Sequence, residues 1–347
     1  MIHSFTGHRV QRTTPFLPRL NFPARDSTLN KYLSHGNHIS LQCPLCTSSN
    51  SSIVAEIPSK AITKAYRQTV GVVLKVDFPD QVLLAKCHSC DLKYFHPMMT
   101  GDESFYEALQ KYEWYYLSEK EEFQVASAQI YPTDEVLEIG AGRGAFLEKI
   151  KCKSYVGLEF SEAAVAMAQN KGIEVRKESL TCHLTQNLQR YDVVCAFQVL
   201  EHVKDVRGFL DAAVGCLKPQ GKLIISVPSD DGFLGAEMSN ILNMPPHHVT
   251  RWTDRCLHNV SSILALEVLH VYHGQLEDLH IRPYSITLVQ AALRNMFGMD
   301  SRFLDKRLSI LPVRLFVKAL TLFVEQGLKD RHLRPRGHSV TIVYRKP

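Results

Sequence analysis

Beyond residue 133 the apolar positions fall into short unbroken runs separated by stretches of longer period. VLEI (136–139), SYVGLE (154–159), IEVRK (173–177), YDVVCAF (191–197) and GKLIISVP (221–228) read as strands. Between them, SEAAVAMAQNKG (161–172) and residues 205–217 have helical spacing. Ser161 stands where an N-cap belongs, Glu162 adds favourable charge to the first turn, and Lys218-Pro219-Gln220-Gly221 closes the second helix with a turn. Strands alternating with helices at this interval predict an α/β fold, a parallel sheet covered on both faces with ligands at the carboxyl ends of its strands. LEVLHVYH (266–273) and HSVTIVYRKP (338–347) add strands, with an insertion between them at 283–332. Within it Val313, Phe316, Val317, Leu320, Phe323 and Val324 fall at helical spacing, opposite Arg314, Lys318 and Glu325. Such a helix packs on the sheet or on a second subunit, or else its apolar face over 313–328 caps a lipid-linked substrate or touches a membrane surface.

Ahead of this core the pattern changes. From Cys43 to Pro97 it is one of short strands and turns, including VGVVLKVDF (70–78) and QVLLAKC (81–87). An aromatic-rich helical stretch follows, with Phe105, Tyr106, Tyr112, Trp114, Tyr115 and Tyr116, which fits either a lid over a substrate or a seam between helices. Residues 1–40 carry five Arg/Lys against Asp26 alone and are interrupted by Pro15, Pro18 and Pro23. That is the composition of a flexible basic arm; a transit peptide needs an amphipathic helix that those prolines break. The expected organisation is an arm at 1–40, a small module at 41–98, an aromatic helical linker or lid at 99–132, and the α/β core at 133–347.

A chain of 347 residues with 45% hydrophobic content holds more than one α/β core needs, hence two domains. The formal charge of +5 is too mild for a dedicated nucleic-acid binder. With no apolar signal region and no run of about 18 uncharged apolar residues, neither secretion nor a membrane span is expected, and the cytoplasm is the expected compartment.

Nine cysteines without a signal peptide point to a reducing compartment and metal use. Cys43-Pro-Leu-Cys46 and Cys87-His-Ser-Cys90 form two C-x-x-C knuckles, which together supply a closed four-thiolate zinc site. The 40 residues between them make a long spacing, and incidental buried cysteines are the alternative. Four thiolates leave no open position for water, so the zinc role is structural. Cys152, Cys182, Cys195, Cys216 and Cys256 read as small core residues.

The segment VLEIGAGRGAFLEKI (136–150) is a strand, a glycine-rich turn and an expected helix start near Arg143. Gly140, Gly142 and Gly144 let the backbone approach a ligand closely. Gly140-x-Gly142-x-x-Ala145 alone also satisfies a dinucleotide fingerprint. Glu159, which ends the second strand 19 residues after Gly140, is placed to accept both ribose hydroxyls of an adenosine-containing ligand. Glu138, a carboxylate inside an apolar strand, needs a partner there. After the fifth strand, Asn243-Met244-Pro245-Pro246-His247-His248-Val249-Thr250-Arg251-Trp252-Thr253 presents two histidines on a loop at the ligand-bearing edge. Histidine suits a general base at neutral pH. Adjacent residues rarely point the same way, so one of the pair, His248, is expected in the cleft and the other in a structural role, with Trp252 in the core.

The E-x-G-x-G-x-G run at Glu138–Gly144 resembles that of class I S-adenosylmethionine-dependent methyltransferases. Gln198-Val199-Leu200-Glu201-His202-Val203 resembles the post-strand motif of the ubiquinone-type members, where it borders the methyl-transfer cleft. PPHH-x-x-RWT resembles a segment of a bacterial subgroup that also has the LEHV run and a zinc-binding module ahead of its core. The resemblance implies a Rossmann-like seven-stranded sheet with helices on both faces, preceded by a zinc-ribbon-like module. It also implies Glu138 near the methionine end of the cofactor, Phe160 flanking the adenine, Glu178 and Ser179 near its exocyclic amine, and Gln198 at the cleft. Glu201 and His202 would line the acceptor side with His247 and His248. Some relatives bind a divalent ion through E-x-x-E-H and a later histidine; Gln198 replaces the first acid here, which weighs against that ion.

Three function classes follow. The first is a methyltransferase acting through histidine-assisted in-line displacement at oxygen or carbon of a small molecule, sugar or glycan precursor, as a monomer or homodimer. The second is an RNA 2′-O-methyltransferase, against which stands the lack of an Arg/Lys-rich aromatic RNA motif. The third is a non-enzymatic zinc-ribbon interaction protein, against which stand the retained glycines and acids.

Overall fold

A computed structural model describes residues 41–110, 112, 120–236, 240–298 and 311–347. The arm expected at 1–40, and Trp114, Tyr115 and Tyr116, lie outside these residues. The chain runs β1 (Ser51–Pro58), α1 (Ser59–Val70), β2 (Gln81–Cys87), β3 (Lys93–His96), α2 (Glu103–Gln110) and α3 (Glu121–Ser127). Then come β4 (Glu135–Ile139), β5 (Ser154–Leu158), α4 (Glu162–Gln169), β6 (Val175–Arg176), α5 (Leu180–Gln186), β7 (Tyr191–Phe197), α6 (Val206–Cys216) and β8 (Leu217–Pro228). The remainder is α7 (Phe233–Ala236), β9 (Thr250–Arg251), α8 (Asp254–Leu264), β10 (Glu267–Gln275), α9 (Asp278–Met296), α10 (Leu311–Gly327) and β11 (Arg336–Arg345).

Seven strands form one sheet in the order β10-β11-β8-β7-β4-β5-β6. β4 to β8 pair in parallel, while β11 is antiparallel to both β8 and β10. This is the α/β class expected from the alternation and the Rossmann-like seven-stranded sheet that the resemblance implies. β7 shows why its sequence is apolar throughout: Tyr191, Val194 and Ala196 enter one core and Val193, Cys195 and Phe197 the other, so both faces are covered. From β4 the chain steps outward to β5 and β6, then returns to β7 on the other side. The reversal opens a crevice at the carboxyl ends of β4 and β7, where α/β sheets hold their ligands.

A second sheet, β1-β2-β3-β9, takes its fourth strand from the PPHH-x-x-RWT segment, with Lys93 opposite Arg251 and Tyr94 opposite Thr250. The histidine loop is thus pinned to the cysteine-bearing segment. One apolar cluster contains Cys43, Leu45, Cys87, Leu92 and Tyr94 together with Leu137, Val194, Trp252 and Cys256, so the cysteine segment shares a core with the large sheet. Trp252 is fully buried there.

Three local expectations are corrected. VGVVLKVDF is not a strand: Val70 ends α1, Gly71 caps it at φ 64°, and 72–78 pairs with no described strand. Its alternation reports which side chains are covered, which does not require a ladder partner. Instead Ile62, Ala65, Tyr66 and Val70 bury one face of α1 at helical spacing. No α-helix opens near Arg143 either. Gly140, Gly142 and Gly144 have φ of 73°, 53° and 74°, and only a 3₁₀ turn at Leu147–Lys149 follows. Left-handed backbone cannot enter a right-handed helix, and few residues remain before β5 begins at Ser154. In the insertion, Val317, Leu320 and Val324 pack on Val289 and Leu293 of α9, while Phe316 and Phe323 are exposed with Leu315 and Leu322. The helix docks on its neighbouring helix, and the expected single apolar face is split. No described helix is long and apolar enough to cross a membrane.

Candidate active site

The turn after β4 wraps back onto β5. The amides of Gly140 and Ala141 both donate to the Leu158 carbonyl, at 2.8 and 3.0 Å. A Cβ on Gly140 would lie 2.5 Å from Val199 Cγ2, so only glycine lets the turn pass this close to the loop after β7. Gly142 donates to Glu159 Oε2 at 2.9 Å, and the amides of Phe160 and Ser161 donate to Oε1 at 2.7 and 2.9 Å. Three backbone donors hold the carboxylate beside the turn and leave one lone pair, on Oε2, for a ribose hydroxyl. Phe160, 71% exposed, is open to a flat ligand face.

Other expected cofactor residues have partners of their own. The Glu138 carboxyl turns into the core and accepts the Tyr155 hydroxyl, which is the partner its burial demands. That burial pushes its pKa up to about 8. Ser179 caps α5 by accepting from Cys182, and Glu178 lies 3.1 Å from His183 Nδ1. Gln198 has φ 57° and spans from Glu122 of α3, at 3.4 Å, to Ser226 of β8, at 3.3 Å. Strained backbone beside a ligand crevice marks a place where local comfort gives way to position.

Just beyond Gln198, a short turn at Leu200–His202 brings His202 under the proline loop. His202 Nδ1 bonds the His247 carbonyl at 2.6 Å, and His247 Nδ1 bonds the Leu242 carbonyl at 2.8 Å. The amides of His247 and His248 both donate to the Met244 carbonyl. In that tight turn their rings stack 4.5 Å apart at 18°, and both are buried. The expectation that only one faces the cluster is therefore corrected: a turn, unlike a strand, lets consecutive side chains lie together. The His202 ring lies 4.7 Å from that of His247 and 4.9 Å from that of His248. Burial holds His202 down to about pKa 4 and His247 to about 3, so both are neutral at pH 7. Glu201 is 1% exposed, and burial drives its pKa up to about 8. The Tyr106 ring stands 5.8 Å from His202 and 6.2 Å from His247, covering the cluster, while Phe105 packs on Tyr66. Phe105 thus packs in a seam, while Tyr106 lies against the histidines. Asn243 was missed in the sequence: its amide is satisfied with oxygen 2.8 Å from Arg251 Nη2 and nitrogen 3.1 Å from His248 Nδ1. An asparagine five residues before a histidine in a proline-bent loop was the available signal.

The four cysteines meet as two matched knuckles. Cys43 N bonds Ser48 O and Thr47 N bonds Cys43 O; Cys87 N bonds Leu92 O and Asp91 N bonds Cys87 O. Thr47 and Asp91 take the same left-handed conformation, φ 61° and 70°. Cys43 Sγ is 3.5 Å from Cys90 Sγ, Cys46 Sγ is 3.5 Å from Cys87 Sγ, and all four lie within 4.8 Å of one another. A tetrahedral zinc with sulfurs at about 2.3 Å needs separations of about 3.8 Å, so the set fits zinc.

The family model described as "Methyltransferase domain" matches residues 107–292, more than half of the chain. The chain belongs to the methyltransferase domain family. It is 31% identical over 126 residues to the ubiquinone biosynthesis O-methyltransferases of Salmonella paratyphi A and Salmonella newport, covering 32% of this chain. The chain spans about half, 51%, of the length of those curated relatives. Among solved structures it is similar to a SAM-dependent methyltransferase from Archaeoglobus fulgidus, at 16% identity and TM-score 0.41 over 71% of this chain and 100% of that one. A possible histamine N-methyltransferase from Thermotoga maritima gives 18% and 0.45 over 70% of this chain and 98% of that one.

Proposed function

We propose that the protein transfers a methyl group from S-adenosylmethionine to oxygen or carbon of a small molecule, sugar or glycan precursor. The observation that carries this reading is the convergence of His202, His247 and His248, with buried Glu201, just after β7. When bound, S-adenosylmethionine supplies an electrophilic methyl on a sulfonium. Glu159 holds the ribose, and the amides of the turn approach the rest of the cofactor. His202 and His247, both neutral at pH 7, are the groups to accept the proton that the acceptor sheds. His248 carries its proton on Nε2 and orients the acceptor as a donor. This reading prefers His202 and His247 to His248 as the base, since the Asn243 amide donates to His248 Nδ1. Tyr106 excludes water over the same spot. In this reading Cys43, Cys46, Cys87 and Cys90 hold one structural zinc, and the protein acts in the cytoplasm as a monomer or homodimer.

The relatives named for ubiquinone biosynthesis O-methylation support a small-molecule acceptor. The test is a calorimetric titration with S-adenosylhomocysteine and with NADH, then a cofactor-consumption screen against sugars, phenols and RNA. Binding of S-adenosylhomocysteine with turnover on a small hydroxylated compound supports the reading. NADH binding alone sinks it, and turnover on RNA replaces the acceptor class.

A further inference from the structure

Where the helical insertion leaves the large sheet, one carboxylate and two imidazoles meet outside the histidine loop. Glu277 stands at the N-cap of α9, yet its carboxylate caps no helix amide. It faces His280 three positions on, with Oε2 3.6 Å from His280 Nδ1, too long for a hydrogen bond. That nitrogen is buried and has no hydrogen-bond partner among the described residues. His338 comes from β11, and its ring lies 4.2 Å from that of His280 at 41°. Its carbonyl accepts from the Ser229 amide at 2.8 Å, just past the carboxyl end of β8. One ligand atom from each of Glu277, His280 and His338 lies within 4.8 Å of the others. A buried imidazole nitrogen without a partner, beside a carboxylate that caps nothing, is costly as it stands and is relieved by a cation that both can reach.

We propose that Glu277, His280 and His338 form a divalent-cation site that clips the helical insertion to the ligand-bearing edge of the large sheet. The inference goes beyond the methyl-transfer reading and does not depend on it. Two imidazoles and one carboxylate suit borderline ions such as Zn²⁺, Co²⁺ or Ni²⁺. Ligand bonds of about 2.0–2.2 Å put donor atoms about 3.4 Å apart around a tetrahedral ion, close to the 3.6 Å between Glu277 and His280. Rotation of the two rings closes the remaining gaps, which do not exceed 4.8 Å. Burial holds both histidines down to about pKa 4, so both are neutral and able to ligate at pH 7. Around Glu277 the carboxylates of Glu122, Glu121 and Asp278 outweigh the ammonium of Lys120, a balance that favours an added cation. The Phe233 ring, 6.2 Å from that of His280, gives the site an apolar wall. Three protein ligands leave a tetrahedral ion one open position for water. Because α9 supplies two ligands and β11 the third, the ion fastens the insertion as a cross-link does.

The test is a titration of zinc-replete, full-length protein with Co²⁺, read by the visible bands of the bound ion and by melting. One Co²⁺ per chain is expected, without the sulfur charge-transfer band that binding at the cysteines would add. The melting temperature should rise with Co²⁺, because an ion held by the folded state alone stabilises it. Affinity should fall by about tenfold or more in Glu277→Gln and in His338→Ala, and stay within about twofold in His202→Ala. Glu277→Gln changes little in shape, so it carries the test even where His338→Ala fails to fold. Co²⁺ should also slow amide exchange in α9 of the wild type and not of Glu277→Gln. Wild-type protein that leaves Co²⁺ free overturns the site. So does affinity unchanged in Glu277→Gln, or binding lost in His202→Ala alone, which would place the ion on the histidine loop. Exchange in α9 that the bound ion does not slow overturns the clip.

Discussion

Gly142 donates its amide to Glu159 Oε2 at 2.9 Å, so the turn after β4 and the carboxylate that follows β5 form one unit. The amides of Phe160 and Ser161 fix the other oxygen, which leaves little side-chain freedom to lose when a ribose binds. Glu159→Ala should weaken S-adenosylhomocysteine binding by about 1.5–3 kcal/mol, the range for hydrogen bonds to a charged group. Calorimetric titration reads this as a roughly 10- to 150-fold rise in Kd. An unchanged Kd would remove Glu159 from the cofactor site.

The cysteine knuckles lead to a different prediction from one that treats 41–98 as a separate body. Cys43, Cys87 and Cys90 sit in the same apolar cluster as Leu137 and Val194 of the large sheet, and Thr253, which caps α8, donates to Asp91 at 2.7 Å. Metal analysis should find one zinc per chain. Cys87→Ser should lower the melting temperature of the whole described unit in a single transition. Melting followed together by tryptophan fluorescence and by cofactor protection decides this. Two separate transitions, with the cofactor-protected one unmoved, would show that the segment folds alone.

The alternation of apolar runs and helical patterns was legible because each strand of the large sheet is buried on both faces, as Val193 and Val194 of β7 illustrate by entering opposite cores. Short spacing also carried the cysteines, since C-x-x-C is itself a turn. What stayed hidden depended on contacts distant in sequence. Thr250 and Arg251 become a strand only because β3 lies beside them, and nothing in RWT encodes that. The His247–His248 stack arises from both amides turning onto the Met244 carbonyl. The direction of Glu138 was set by Tyr155, seventeen residues on, whose hydroxyl reaches it across the β4–β5 pair.

Glu138 offers a test through pH. Burial lifts its folded pKa to about 8, against about 4.3 for an unfolded glutamate. The folded state thus holds the proton more tightly, so this contribution to stability is complete below the unfolded value and is lost as pH rises through about 8. Glu138→Gln keeps an acceptor for Tyr155 and cannot ionise. Thermal melts between pH 5 and 9 should show wild type losing stability relative to the variant as pH rises, with the gap levelling above the folded pKa. Parallel curves would show that Glu138 is ionised in the native protein.

The histidine cluster gives the most direct functional prediction. Because Asn243 accepts from Arg251 and donates to His248 Nδ1, the proton-accepting role falls to His202 and His247, both neutral at pH 7. Their Nδ1 atoms bond the His247 and Leu242 carbonyls, outside the glycine turn and Glu159. His202→Ala and His247→Ala should therefore each cut turnover by about 10²–10⁴, the scale of a lost general base, while S-adenosylhomocysteine affinity stays within about twofold. His248→Ala should cost less, since it removes a donor and leaves both acceptors in place. Steady-state rates and cofactor titrations on the three variants separate the roles. Full turnover in His202→Ala would take the cluster out of the chemistry, and cofactor affinity falling in step with turnover would make it part of the cofactor's own pocket.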